Sequence, residues 1–128
     1  MQLDSLDHLV LTVSDILATV FFYSRTLAME EIIYGDGRIA LGFGQQKINL
    51  HLAGEEFEPH AGKPQPGSAD LCFLTSTPLD EVTRHLRNVG VEIIDGPVRR
   101  IGATGPLLSI YFRDPDGNLI ELANLLPN

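Results

Sequence analysis

Leu6-Asp7-His8-Leu9-Val10-Leu11-Thr12 reads against Ser68-Ala69-Asp70-Leu71-Cys72-Phe73-Leu74, and Lys47-Ile48-Asn49-Leu50-His51-Leu52 reads against Gly117-Asn118-Leu119-Ile120-Glu121-Leu122. A chain that writes the same two segments once in each half is built from two supersecondary units of similar length. The match sets His8 against Asp70 and His51 against Glu121. Ionisable side chains on half-buried strands are costly unless they are paired or metal-bound. Two imidazoles and two carboxylates at matching points therefore read as one shared metal site.

Working outward, Leu6 to Val13 has strand composition, with His8, Val10 and Thr12 on one face and Leu9, Leu11 and Val13 on the other. Ser14-Asp15 starts a helix whose apolar face is expected at Ile16, Val20, Tyr23 and Leu27. Glu30 to Tyr34, Arg38 to Phe43 and Lys47 to Leu52 are short strands separated by glycine turns. The first module, about 4–53, is βαβββ. A Pro/Gly-rich linker over about 54–68 follows. In the second module, about 69–126, Asp70 to Leu74 is a strand, and Thr77-Pro78 reads as N-cap and first-turn proline of a helix. That helix carries Leu79, Val82, Leu86 and Val89 and stops at Gly90. Val91 to Ile94, Leu107 to Arg113 and Leu119 to Leu125 complete a second βαβββ. The expected fold is α+β, one domain of two such modules forming a cup-shaped mixed sheet with helices outside.

The bulk numbers narrow the function. At 128 residues and 44% hydrophobic composition the chain can bury a core of its own. Seventeen acidic residues against nine basic give a net charge of −8, which argues against nucleic acid or an anionic membrane as partner. The single cysteine, Cys72, excludes an intrachain disulfide and fits a reducing, cytoplasmic setting. No signal-like leader or membrane-length apolar run is present.

On the last strand of each module, alternation turns Ile48, Leu50 and Leu52, or Ile120 and Leu122, toward the helix, and His51 and Glu121 away from it. Imidazole and carboxylate donors suit Zn, Ni, Mn, Fe or Co. Asp70, with the shortest side chain, either binds the ion or stands beside it. His60, in the linker, and His85, in a helix, read as surface groups. Cys72 shares the parity of Asp70, although a lone free cysteine is expected as a small packed residue. Arg99-Arg100 borders the segment Ile101 to Pro106 and reads as a possible clamp for an anionic substrate end. Tyr111, one strand before Glu121, is placed to reach a substrate oxygen.

The whole chain resembles the vicinal oxygen chelate superfamily of glyoxalases, bleomycin-resistance proteins and extradiol dioxygenases. The resemblance rests on Leu6 to Leu11, on Phe22-Tyr23-Ser24-Arg25-Thr26-Leu27-Ala28-Met29, and on Tyr111-Phe112-Arg113-Asp114-Pro115-Asp116-Gly117-Asn118-Leu119-Ile120-Glu121-Leu122. Segments 47–52 and 67–73 look like the subgroup called glyoxalase domain-containing protein 5. The resemblance implies paired modules around a metal that chelates two adjacent substrate oxygens, with His8 and Glu121 at ligand positions. Glyoxalase I-like members usually carry a carboxylate where this chain has His51 and a histidine where it has Asp70. Gly102, Ala103 and Thr104 fill the window in which extradiol dioxygenases expect a histidine, and Ala28 replaces the usual glycine of the helix-end motif. The activity implied by the resemblance is that of a metal-dependent lyase or isomerase of glyoxalase type, acting on a small substrate with vicinal oxygens. Glu121 would move a proton and Tyr111 donate a hydrogen bond. The rivals are extradiol ring cleavage and non-catalytic binding of a drug or metabolite. A homodimer is expected, because the superfamily pairs open sheet edges.

Overall fold

The computed structural model describes all residues, Met1–Asn128, and they fall into two compact units, Met1–Pro66 and Gly67–Asn128. Unit 1 runs β1 (His8–Val13), α1 (Ile16–Leu27), β2 (Glu30–Tyr34), β3 (Arg38–Phe43) and β4 (Gln46–Leu52). Unit 2 runs β5 (Asp70–Leu74), α2 (Leu79–Asn88), β6 (Asp95–Ile101), β7 (Pro106–Arg113) and β8 (Leu119–Leu125). The sheets have the same plan, β1-β4-β3-β2 and β5-β8-β7-β6. In each, the first strand pairs in parallel with the last and the remaining pairs are antiparallel. The strands that carry His51 and Glu121 are thus inner strands, held on both sides.

Alternation sets the two faces. Leu11, Val13, Leu41, Ile48 and Leu50 are buried in unit 1, as are Ile110, Phe112, Ile120 and Leu122 in unit 2. His51 and Glu121 have the opposite parity. The packing of α1 differs from expectation: Thr19, Tyr23 and Thr26 are its buried residues, while Ile16, Val20 and Leu27 are only half-buried and Leu17 and Phe21 stand exposed. The helix is apolar almost all round, so apolar spacing does not select one face. Thr19 can be buried because its hydroxyl donates to the Asp15 carbonyl at 2.8 Å. Asp15 caps the helix as expected, its Oδ1 accepting from the Ala18 N–H at 2.9 Å. In α2, Leu79, Val82 and Leu86 are buried as expected. Its first turn, however, begins after Pro78 with no cap from Thr77. Instead, Asn124 Oδ1 of β8 accepts from the Leu79 N–H at 2.9 Å.

The strand expected over Val91 to Ile94 is absent, and β6 lies further on. Gly96-Pro97 argues against a central strand, but β6 is an edge strand, where proline is tolerated. Its register slips between Asp95 and Val98. Gly96 is required there: at φ +95°, an added Cβ would fall 2.3 Å from the Ser109 carbonyl oxygen. No helix is long and apolar enough to cross a membrane.

Candidate functional site

Unit 1 contributes His8, on β1, and His51, on β4. His8 is exposed, and its Nδ1 lies 2.8 Å from Asp7 Oδ1, which leaves Nε2 free. His51 is only 7% exposed. Its cover is the Phe57 ring, edge-on at 5.5 Å between centroids, and the Arg38 guanidinium lies 4.1 Å from the centroid of that same ring. Burial and the Arg38 charge hold the imidazole below its usual pKa, with Glu56 opposing. His60 is exposed, as expected of a surface histidine, and is raised chiefly by its hydrogen bond to the Ala61 carbonyl.

Unit 2 contributes Asp70, on β5, and Glu121, on β8. Cys72 and Tyr111 are the cross-strand neighbours of Glu121 on its two sides. Tyr111 Oη accepts a hydrogen bond from Arg100 Nε at 3.0 Å, so its own proton is available to Glu121. Burial raises the phenol pKa, Glu121 adds to this and Arg100 opposes it. Partial desolvation and then the Glu121 carboxylate push the Cys72 thiol up to about 11. Cys72 is exposed rather than packed, contrary to expectation. With Glu121, Arg100, Thr104 and Leu107 it lines a pocket of about 380 Å³. Arg99 and Arg100 do not form one clamp. They are consecutive on β6, and the register sets Arg100 beside Leu107, on the Tyr111 face, and Arg99 beside Leu108, on the other. Arg100 also reaches Asp95 at 3.7 Å.

The turn into β8 fixes Glu121. Buried Asp114 accepts from the N–H groups of Asp116 and Asn118 at 2.9 Å each and from Asn118 Nδ2 at 2.8 Å. Asn118 Oδ1 in turn accepts from the Ala69 N–H at 2.8 Å, which ties the start of β8 to the start of β5. Sequence reading treats this segment as a turn and misses its role as a clasp.

The registers also revise the internal correspondence. His8 pairs with Lys47 and Val10 with Asn49, whereas Asp70 pairs with Leu119 and Cys72 with Glu121. If His8 matches Asp70, the counterpart of Glu121 is Asn49, two residues before His51, and His51 matches Ala123. Asn49 Oδ1 is buried with no hydrogen-bond partner. An orphaned carbonyl oxygen at that register point seeks a donor or a cation. Asn49 is the residue that sequence reading missed, and only the strand register reveals it.

A divalent ion is the group that the family resemblance implies, and the donor types fit it: imidazole, carboxylate and the unpartnered Asn49 oxygen. The four residues singled out divide two and two between the units, and no group of three or more His, Cys, Asp or Glu side chains in the structure is placed to hold a metal.

Residues 5–122 match the family model described as Glyoxalase/Bleomycin resistance protein/Dioxygenase superfamily. The chain is 55% identical over 123 residues to virulence protein STM3117 of Salmonella typhimurium, covering 96% of this chain and 85% of that one. The crystal structure of that protein superposes with a TM-score of 0.97 at 54% identity, covering 98% and 100% of the two chains. Glyoxalase domain-containing protein RDO1 of Mycosarcoma maydis is 55% identical over 120 residues, 94% of this chain and 68% of that one. The fosfomycin resistance protein FosX of Listeria monocytogenes, solved with Mn(II) and a sulfate ion, is 25% identical, with a TM-score of 0.68 and coverage of 98% and 93%.

Proposed function

The chain belongs to the Glyoxalase/Bleomycin resistance protein/Dioxygenase superfamily, and from that premise we propose that it is a metal-dependent lyase or isomerase acting on a small substrate with two adjacent oxygens. The observation that carries the reading is the arrangement around Glu121: an inner-strand carboxylate flanked by a phenol and a thiol at the wall of a pocket. His8, His51 and Glu121 would hold one divalent ion, with Asp70 as a weaker donor and Asn49 adding its free oxygen. The presence of Mn(II) in FosX supports this chemistry for the family. Such an ion supplies Lewis-acid polarisation of the substrate oxygens.

The remaining work falls to side chains of unit 2. Glu121 is the acid/base group that takes up and returns a substrate proton. Tyr111 donates its hydroxyl to the oxygen on which negative charge develops, a preorganised donor of the kind that stabilises a transition state. Arg100 Nε–H occupies a lone pair of the Tyr111 oxygen and so leaves the hydroxyl proton to be donated. Ring cleavage of a catechol is the weaker reading, because Gly102 to Thr104 supply no acid/base histidine.

The working form is a homodimer in a reducing compartment. β1, β2, β5 and β6 each have one unpaired edge within their own sheet, and Leu17, Phe21 and Ile33 are exposed at 63% or more. Light scattering should give twice the chain mass. The function itself is tested by metal analysis of purified protein, followed by turnover screens on dicarbonyls, their thiol adducts and catechols. About one ion per site is expected, lost in His8→Ala and Glu121→Ala and kept in His60→Ala. Equal metal content in all three variants would remove the proposal, and metal retention with no turnover on any of these compounds would favour a binding protein.

A further inference from the structure

The face of the unit 1 sheet that carries His51 also carries two cations with no carboxylate partner. Strand parity places Lys47 and Arg38 on it: Lys47 is two residues from Asn49, and Arg38 is two from Ala40, the cross-strand partner of Asn49. Both side chains are half-buried. The Lys47 ammonium sits 3.7 Å from the centroid of the Tyr34 ring, and the Arg38 guanidinium 4.1 Å from that of Phe57. The ion pairs His8–Asp7, His60–Glu58 and Arg100–Asp95 include neither.

Tyr34, whose ring lies under the Lys47 ammonium, is the cross-strand partner of Arg38, so the register sets the two cations beside one another on this face. A cation lying on an aromatic face is held in place while the N–H donors directed away from the ring remain free. Partial burial lessens the screening of such a charge, so an oxyanion reaching it gains more than one at an exposed lysine. The fold does not demand these charges. In the register that aligns His8 with Asp70, the positions of Lys47 and Arg38 are filled in unit 2 by Leu119 and Ser109.

We infer that Lys47 and Arg38 form a subsite for an oxyanion, so that the substrate carries a carboxylate or phosphoryl group beside its vicinal oxygens. This substrate class rests on the function proposed above, but the subsite is tested without metal or turnover. The probes are glycolate and methylphosphonate, with hydroxyacetone as the neutral counterpart, titrated into chelator-treated protein and followed by amide NMR shifts. Both anions, or one of them, should shift residues of β3 and β4 saturably, and the tighter of the two identifies the group as carboxylate or phosphoryl. Hydroxyacetone should not, and affinity should fall as salt rises. Lys47→Gln and Arg38→Gln should each weaken binding about tenfold, as expected for loss of one charge-assisted hydrogen bond. Arg38→Lys should lose less, and Arg84→Gln on α2 nothing. Because Arg38→Gln also releases Phe57, Lys47→Gln is the decisive variant if the former melts early. Anions that bind no better than hydroxyacetone, or a folded Lys47→Gln that binds both anions undiminished, would overturn the inference. Absence of metal uptake with anion binding intact would instead remove the proposed reaction and leave the subsite standing.

Discussion

The two units share one strand order and one pairing scheme, yet their helix-free faces carry opposite chemistry. Unit 1 presents His8, Lys47, Asn49, His51 and Arg38, with the Phe57 ring edge-on to His51. Unit 2 presents Asp70, Cys72, Glu121 and Tyr111 beside a pocket. A duplicated scaffold thus gives one half two imidazoles and two cations, and the other two carboxylates, a thiol and a phenol bonded to Arg100. The clasp is equally one-sided. The turn before β8 is locked by Asp114 and Asn118, whereas β3 passes to β4 through Gly44-Gln45, with Gly44 at φ +52°.

The strongest break of the comparison is therefore Asp114→Ala. It leaves three donors of the clasp without their acceptor, and stability should fall by about 3 kcal/mol in urea unfolding. Asp36→Ala, in the turn between β2 and β3 of unit 1, should lie within about 0.5 kcal/mol of the parent. A clasp variant as stable as the parent would show that the hydrogen bonds are replaced by water. Next comes the phenol. Tyr111→Phe should keep fold and metal content while lowering turnover of the true substrate by on the order of 10². Full turnover would make Tyr111 structural and leave Glu121 as the only acid/base group in unit 2.

Both modules and nearly every strand were legible in the sequence, because alternation and glycine turns are local signals. Three features were not. The buried face of α1 was hidden by its apolar composition: Ile16, Val20 and Leu27 have core spacing but are half-buried, while Thr19 and Thr26 occupy the core beside Tyr23. β6 was hidden by Gly96-Pro97, whose meaning depends on an edge position that only the sheet reveals. Asn49 was hidden because matching segments by residue type favoured His51, while strand register, a tertiary property, selects the residue two places earlier. Among the candidates, the adjacency of Glu121 and Tyr111 was readable from parity and loop length. The juxtaposition of Lys47 and Arg38 was not, since only the strand register sets the ring under Lys47 beside Arg38.

The helix starts give a smaller contrast. Asn124 Oδ1 caps α2 from another strand, and Asn124 Nδ2 also donates to the Thr75 and Thr77 carbonyls at 2.9 Å each. Asn124→Ala should cost about 2 kcal/mol, against about 1 kcal/mol for Asp15→Ala at the local cap of α1. Thr77→Ala should change little, since Thr77 provides no cap. Equal losses for Asn124→Ala and Thr77→Ala would restore the threonine cap expected from sequence.

The helix ends give the finest test, because they differ in one residue's conformational freedom. α1 ends at Ala28, which has φ +55°, while α2 is followed by Gly90 at φ +78°. A left-handed backbone brings Cβ against the following carbonyl oxygen, at a cost of roughly 1 kcal/mol for alanine and nearly nothing for glycine. Ala28→Gly should therefore stabilise the protein by up to about 1 kcal/mol, raising Tm by roughly 4 °C. Gly90→Ala should lose a similar amount. An added Cβ at Gly90 meets no atom within 4 Å, so that loss would be conformational rather than steric. The two substitutions are thus mirror images with opposite signs. If Ala28→Gly destabilises instead, the methyl group of Ala28 contributes packing that outweighs its strain, and the two helix ends are not equivalent.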